Sequence, residues 1–255
     1  MLKQIAATTV VGLAVVAGGP ALADGMPRGS LKDAPVCCAM PSWSGFYIGA
    51  GIGYGHLVTE NNYYEPSATI SSSSWKGEGG AGGLGSVVLG FDRQFREKYV
   101  AGLFVEYDWS SVEISYTNNT LTSEETFRLE RSLNVGARAG FLLTPSTLLY
   151  ATAGYSWAKG KSDRYFDIDP AGPSYYSGVT SVNFNGPFVG LGMETQLGRN
   201  LALHGEVRYT MFGEEVTNYQ PGILTDKTEA DLLSARLVLS YKFHRDEPVH
   251  HIPIK

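Results

Sequence analysis

The sequence predicts an all-β protein, an eight-stranded antiparallel transmembrane β-barrel that follows an N-terminal signal peptide. Three observations lead to this prediction. Apolar residues alternate with small or polar residues in one segment after another, which is the period of a β-strand and not of a helix. The gaps between these segments are alternately long and short. Of the 255 residues, 31 are glycine and 12% are aromatic, whereas only 18% are charged, a low share that suits a chain in lipid.

Charge and cysteine content exclude several other classes. A net charge of −5 leaves no broad basic surface, so we expect no nucleic-acid partner. Only 2 cysteines are present, too few for a disulfide scaffold. We also expect no cofactor and no metal site, because His244, His250 and His251 lie on a proline-broken tail without the fixed spacing of zinc ligands.

The first 42 residues are expected to direct export and to form a linker. Lys3 supplies a positive charge, an apolar run extends over 5–16, and Ala21-Leu22-Ala23 has the small residues that signal peptidase recognises. The run is shorter than the roughly 20 residues of a spanning helix, so we expect cleavage after Ala23 rather than a membrane anchor. Residues 24–42 are rich in proline and glycine, which is typical of an extended periplasmic linker.

The first strand shows the alternation most clearly. Phe46, Ile48 and Ile52 share one face, and Tyr47 shares the other face with glycines. The same pattern recurs along the chain. We therefore predict strands at 43–54, 82–91, 99–109, 127–143, 148–158, 181–197, 201–212 and 231–243.

The lengths of the gaps favour a membrane barrel over a soluble sandwich. Gaps after the odd-numbered strands are long and polar, whereas those after the even-numbered strands, at 92–98, 144–147 and 198–200, are short. Bacterial outer-membrane barrels have an even number of strands, short periplasmic turns and long extracellular loops. The barrel domain is thus expected over 43–243, followed by a periplasmic tail over 244–255.

Aromatic residues indicate which face of the strands meets lipid. Those near the short gaps are Phe91, Tyr99, Phe141, Tyr241 and Phe243, and those near the long gaps are Tyr54, Trp109, Trp157 and Tyr209. Two aromatic bands on either side of an aliphatic zone are typical of a transmembrane barrel. We therefore expect the apolar face to meet lipid in the outer membrane of a Gram-negative bacterium.

Three segments carry a family resemblance. They are WSGFYIGAGIGYG from residue 43, GPFVGLGMETQLGRNLALHGEVRYTMFG from residue 186, and ARLVLSYKF from residue 235. The chain resembles the small eight-stranded OmpA-like and opacity-type outer-membrane proteins, especially the surface-antigen group of alphaproteobacterial type. The resemblance implies roles in envelope integrity and surface antigenicity, and makes Tyr241 and Phe243 the aromatic signal read by the barrel-assembly machinery. One departure is that twelve residues follow Phe243, where the family usually ends.

The polar faces of the predicted strands carry as many acids as bases. They are Glu106, Asp108, Glu130, Glu194, Glu206, Arg128, Arg138, Arg208, Arg236 and Lys242. A barrel of this size holds little besides side chains, and an unpaired buried charge is unfavourable by several kcal/mol, so these groups are expected to pair. The lumen would then be a salt-bridged plug. When positions are counted from the periplasmic ends of the predicted strands, Glu106 lies at about the height of Arg138, and Glu206 at about the height of Arg236. These are the two predicted pairs.

Two other functions remain open from the sequence. A narrow small-solute porin would need a continuous hydrated path past the same charges. A lipid A-modifying barrel enzyme would need an acid–base group, for which His204 with Glu206, or His56, is the candidate. No serine is placed to complete a nucleophilic triad, so we predict a non-enzymatic barrel.

Contacts outside the cell are expected from the loop over 159–180. Its aromatic residues are Tyr165, Phe166, Tyr175 and Tyr176. Exposed aromatic residues often anchor interfaces, although these four are equally suited to lie on lipid headgroups. The expected partners are outer-membrane lipid and lipopolysaccharide, the barrel-assembly machinery and an extracellular ligand, and the barrel is expected to be a monomer.

Overall fold

Eight β-strands make up the regular structure of the computed structural model, which describes residues 42–64, 72–118, 123–167, 175–220 and 224–244. The strands are β1 (Gly45–Tyr64), β2 (Ser72–Phe95), β3 (Tyr99–Asn118), β4 (Ser123–Thr144), β5 (Thr147–Asp167), β6 (Tyr175–Gln196), β7 (Leu201–Gln220) and β8 (Leu224–His244). Within these ranges no helix has the length and apolar character needed to cross a bilayer.

The strands close on themselves. Each strand pairs antiparallel with its neighbours in sequence, and β1 also pairs with β8. This closing pair runs from Gly45 opposite His244 to Tyr64 opposite Thr225. Closure pairs the backbone of every strand on both sides in the half next to the short turns, which is the condition for a sheet in lipid, whereas the β6–β7 pair ends at Phe188 opposite Thr210. The predicted all-β, eight-stranded antiparallel barrel is confirmed.

The strands are longer than predicted, mainly at the end opposite the short turns. The sequence predicts that the first strand ends at Tyr54, but β1 continues to Tyr64. The fifth is predicted to end at Ala158, but β5 continues to Asp167. A transmembrane strand needs only about 9–11 residues, so roughly half of each strand extends past the aliphatic zone. The outer face of these extensions is largely polar because a strand outside lipid needs no apolar outer face.

The predicted contact loop belongs largely to the extensions. Tyr165 and Phe166 lie in β5, and Tyr175 and Tyr176 lie in β6. Phe166 and Tyr176 are directly opposite each other in the β5–β6 pair. The prediction of a loop over 159–180 is therefore wrong at these four positions, because backbone pairing continues where the composition is typical of a loop.

A register shift in β4 changes which side chains face the lumen. The shift lies between Leu129 and Arg131, where one extra residue reverses the alternation. Above it Leu129 is buried, and Arg128 lies on the outer wall with half of its side chain exposed. Glu130, the extra residue, is one-third exposed and pairs with Lys161. The predicted inward positions of Arg128 and Glu130 are therefore wrong.

Side chains fill the lumen in alternating layers. The lower apolar layer, next to the short turns, is Trp43, Val100, Leu148 and Tyr150, and the middle apolar layer is Tyr47, Val88, Phe104, Phe188 and Val238. The upper apolar layer is Leu57, Leu84, Val112, Ile114, Leu129, Ala158, Val182, Phe184, Phe212, Ala230 and Leu232. Charged residues separate these layers, since β8 carries Lys242, Val238, Arg236 and Leu232 in that order along its inner face.

Two glycines provide space for aromatic rings of the lumen. Gly90 lies directly opposite Tyr47, and Gly192 lies directly opposite Tyr150. A Cβ atom at either glycine would collide with the ring of the facing tyrosine. The absent side chains thus allow each ring to lie close to the neighbouring backbone.

Candidate functional site

The lower charged layer, called here the lower ring, consists of Asp92, Arg138, Glu194 and Lys242, one residue from each even-numbered strand. Arg138 Nε donates to Asp92 Oδ1 at 2.9 Å, and its Nη1 donates to Glu194 Oε2 at 2.8 Å. Lys242 Nζ closes the ring, 2.7 Å from Glu194 Oε1 and 3.3 Å from Asp92 Oδ2. Each cation therefore lies between two carboxylates, and each carboxylate lies between two cations.

Aromatic rings cover both cations of the lower ring. The guanidinium carbon of Arg138 is 4.6 Å from the ring centre of Tyr47 and 5.2 Å from that of Tyr150. Lys242 Nζ is 4.3 Å from the ring of Trp43. A desolvated cation over an aromatic face is attracted by the ring quadrupole, so the apolar layers help to stabilise the charges they enclose.

The upper charged layer, called here the upper network, consists of Glu106 and Asp108 on β3, Glu206 and Arg208 on β7, and Arg236 on β8. Arg208 Nη1 donates to Glu106 Oε1 at 2.6 Å, and its Nε donates to Glu206 Oε1 at 2.7 Å. Arg236 Nη1 donates to the same oxygen of Glu106 and lies 3.4 Å from Asp108 Oδ2. Three acids thus share two bases.

The upper network is less completely bonded than the lower ring. Asn134 Nδ2 donates to Asp108 Oδ2 at 2.8 Å, and the Arg208 guanidinium lies 4.4 Å from the ring centre of Phe188. Within the described part of the chain, buried Asp108 Oδ1 and Arg236 Nε have no hydrogen-bond partner. Glu194 Oε1 of the lower ring also makes no hydrogen bond of good geometry, but it lies 2.7 Å from the charged Lys242 Nζ. Because it has an excess acid and two buried polar atoms without hydrogen bonds, the upper network is the layer whose charges are less balanced.

Eight of the ten predicted interior charges lie in these two layers, but the two predicted pairs, Glu106 with Arg138 and Glu206 with Arg236, are wrong. Arg138 binds Asp92 and Glu194 instead of Glu106. Glu206 is directly opposite Arg236 in the β7–β8 pair, yet it binds Arg208 while Arg236 binds Glu106. Long side chains reach across the narrow lumen to other strands, so equal height does not identify a partner.

Sequence reasoning missed Asp92, a member of the lower ring. The sequence predicts that the second strand ends at Phe91, which places Asp92 in the short turn. The even-numbered inward positions of β2 include Ser86, Val88 and Gly90 and continue to Asp92, which is 1% exposed. Following that alternation one position further would have identified this fourth member of the ring.

Of the two histidine side chains that the structure describes, neither is combined with a free acid in an open site. His204 is buried in the lumen, with its Nδ1 3.5 Å from the Tyr150 hydroxyl, and its predicted companion Glu206 binds Arg208. His56 lies exposed on the outer wall, on the opposite face of the sheet. Across the described ranges, no three His, Cys, Asp or Glu side chains are grouped for a metal ion.

The family model described as "Outer membrane protein beta-barrel domain" matches residues 34–243. The 31 kDa outer-membrane immunogenic protein of Brucella melitensis is 27% identical over 209 residues, which cover 79% of this chain and 84% of that protein. The protein of the same description from Brucella suis has the same values.

Solved barrels show a looser likeness. The outer membrane protein OprG from Pseudomonas aeruginosa has a TM-score of 0.46 at 15% identity, covering 81% of this chain and 99% of that chain. The outer membrane protease OmpT from Escherichia coli has a TM-score of 0.47 at 12% identity, covering 77% and 97%. Structural similarity at this level supports no conclusion about activity.

Proposed function

This chain belongs to the family of outer membrane protein beta-barrel domains, and from that premise we propose that it is a closed, non-enzymatic barrel that supports envelope integrity and surface interaction. It lies in the outer membrane of a Gram-negative bacterium, with its barrel among the membrane lipids. In this proposal the lumen is a plug, and the outer surfaces carry the function.

The observation that carries the proposal is the alternation of layers in the lumen. An ion crossing the barrel would have to disrupt the lower ring and the upper network, and also pass three apolar layers. Breaking a buried ion pair leaves an uncompensated charge, which is unfavourable by about 3–5 kcal/mol. The paired charges are therefore better suited to hold the wall together than to line a path.

The porin alternative has one observation in its favour. The upper network has one more acid than it has bases, and Asp108 Oδ1 and Arg236 Nε lack partners among the described residues. Buried polar atoms of this kind are commonly hydrated. Water confined to one layer does not form a continuous path, because apolar layers lie above and below it.

Surface interaction is assigned to the strand extensions. These polar extensions rise past the aromatic band and carry exposed ion pairs, such as Arg128 with Glu113 and Lys161 with Glu130. The Brucella relatives are described as immunogenic, and by analogy the extensions of this chain are the part that an extracellular ligand or antibody would meet. Tyr165, Phe166, Tyr175 and Tyr176 remain the proposed contact residues, now as part of a strand pair.

The proposal also includes export through a cleaved signal peptide and assembly through the aromatic end of β8. Cleavage after Ala23 and the periplasmic positions of the linker and the tail concern residues outside the described ranges. Tyr241 and Phe243 point outward at the periplasmic end of β8, with their rings 5.0 Å apart. An exposed aromatic pair at this end of the closing strand is accessible to an assembly factor before β8 pairs with β1.

The envelope role is tested by deleting the gene and measuring survival in detergent. We expect the deletion to lower survival and the full-length chain to restore it. Unchanged survival would contradict the proposal. Lipid A is analysed by mass spectrometry in the same strains, and a change of mass that disappears in His204→Ala or His56→Ala would establish the enzyme alternative instead.

A further inference from the structure

The outer wall of β3–β6 carries an amphipathic groove at the upper aromatic band. Two rows of outward side chains cross these four strands in register. The lower row is Tyr107, Leu133, Trp157 and Asn185, and the upper row is Trp109, Arg131, Lys159 and Asn183. Most of these residues line one open groove, with aromatic and aliphatic groups at its base and two cations above them.

Arg131 and Lys159 are directly opposite each other on neighbouring strands. Like charges in that position repel each other and destabilise a strand pair. Within the described part of the chain neither has a carboxylate within 4.0 Å, whereas one step higher Arg128 and Lys161 are paired at 2.7 Å and 2.6 Å with Glu113 and Glu130, respectively. Among the described residues the two facing cations therefore form no ion pair, since Glu130, which lies next to Arg131 in the chain, is bonded to Lys161.

The opposite side of the barrel has the reverse charge at this height. There Asp231 on β8 accepts a hydrogen bond from the Tyr209 hydroxyl at 2.8 Å. On the groove side, Asn185 Oδ1 accepts from the Tyr155 hydroxyl at 2.5 Å, which leaves the Asn185 amide hydrogens as donors. The groove thus offers cations and amide donors together, which is the chemistry that binds an anionic oxygen group.

The position of the groove identifies the kind of anion. Trp157 and Tyr107 belong to the band of rings that lies at headgroup level, and the exposed Val105 and Val135 lie one step nearer to the short turns, in the aliphatic zone. A ligand that satisfies both parts has phosphate at headgroup level and acyl chains beside the wall. We propose that this groove binds a phosphorylated glycolipid of the outer leaflet, with the lipid A phosphate between Arg131 and Lys159.

The inference rests on the outer-membrane location and not on the closed lumen. The test uses the full-length chain, refolded in phosphatidylcholine nanodiscs with a chelator present, and titrated with bisphosphorylated lipid A while native mass spectrometry counts bound lipid. Heat-modifiable gel mobility shows that each variant is folded. We expect Arg131→Gln with Lys159→Gln to weaken binding by about tenfold or more, since two charge-assisted contacts are lost.

The matched control is Arg93→Gln with Lys98→Gln, which removes the same charge from exposed cations at the other end of the barrel and leaves the groove and its neighbouring carboxylates unchanged. We expect it to change binding by less than about twofold, and lipid A without phosphates to bind the unaltered chain about tenfold more weakly. Equal losses in the two double variants, or equal binding of the dephosphorylated lipid, would overturn the proposal. Displacement of lipid A by an equal concentration of inorganic phosphate would also overturn it, because the site would then take a free anion.

Discussion

The two charged layers of the lumen are built differently although both are buried between apolar side chains. The lower ring places one charge on each of β2, β4, β6 and β8, so signs alternate around the wall and every charge has two opposite neighbours. The upper network places both Glu106 and Asp108 on β3, and both Glu206 and Arg208 on β7. One layer is balanced and the other has an excess acid.

This difference indicates that the two layers contribute differently to the stability of the barrel. A balanced ring that spans alternate strands holds the barrel together, and loss of any member leaves its partners exposed to like charge. An unbalanced network tolerates loss of an acid, because the remaining acids still neutralise both arginines. Substitutions in the lower ring should therefore destabilise the barrel more than equivalent substitutions in the upper network.

Arg138→Met should be the most destabilising of the changes considered. Asp92 and Glu194 would then share only Lys242, and the buried excess charge should lower the free energy of unfolding by about 3–5 kcal/mol. Urea unfolding of the refolded barrel in lipid vesicles measures this loss. The matched control is Arg93→Met, at an exposed arginine near the same end of the barrel. Equal losses in both variants would refute the structural role of the lower ring.

Glu106→Gln should have an intermediate effect. Its Oε1 accepts from both Arg208 and Arg236, so a neutral amide weakens two charge-assisted bonds while Glu206 still balances one arginine. We expect a loss of about 1.5–3 kcal/mol in the same unfolding experiment. A loss larger than that of Arg138→Met would reverse the proposed order of the two layers.

Asp108→Asn and Asp92→Asn compare the layers by the same chemical change. Asparagine at 108 keeps an acceptor near Asn134 and removes the excess negative charge, so the loss should be below about 1 kcal/mol. At position 92 the change removes one of two acids from a balanced ring, and the loss should approach that of Arg138→Met. Similar losses at the two positions would show that the excess charge has no energetic consequence.

The smallest effect is expected outside the lumen, at Glu113 on the extension of β3. Hydrogen bonds from the Arg128 guanidinium, 2.7 Å away, lower the pKa of this exposed carboxyl. Because the pKa of the folded state is the lower one, the pair stabilises the fold above the unfolded pKa, and this contribution is lost as pH falls through the folded pKa. NMR titration of Glu113 should show a higher pKa in Arg128→Gln, and added salt should reduce the difference. An unchanged pKa would mean that the pair does not form in solution.

The sequence predicts the part of the fold that lipid constrains. Alternation within the aliphatic zone and the aromatic bands locates all eight strands, because one face must be apolar there. Past the bands this constraint ends, and the extensions are indistinguishable from loops by composition. The extra residue Glu130 reverses the alternation in β4, and no feature of the sequence indicates it. The sequence therefore predicts the wrong face for Arg128.

Ion partners were the least predictable feature of the site. The inward alternation identifies Glu106, Arg138 and most of the other buried charges correctly. Partners depend on which side chains meet across the lumen, however, and this follows from the tilt of the strands and the lengths of the side chains. Arg138 therefore reaches Asp92 on β2 and Glu194 on β6, which no local pattern connects.

Single-channel conductance in a planar bilayer tests the closed lumen most directly. The full-length chain is refolded, heat-modifiable gel mobility establishes that it is folded, and current is recorded across a range of voltages. The layered lumen predicts no discrete steps from folded protein. Regular conductance steps that change in Glu106→Gln or Arg138→Gln would contradict the plug and show that the charged layers line a hydrated path.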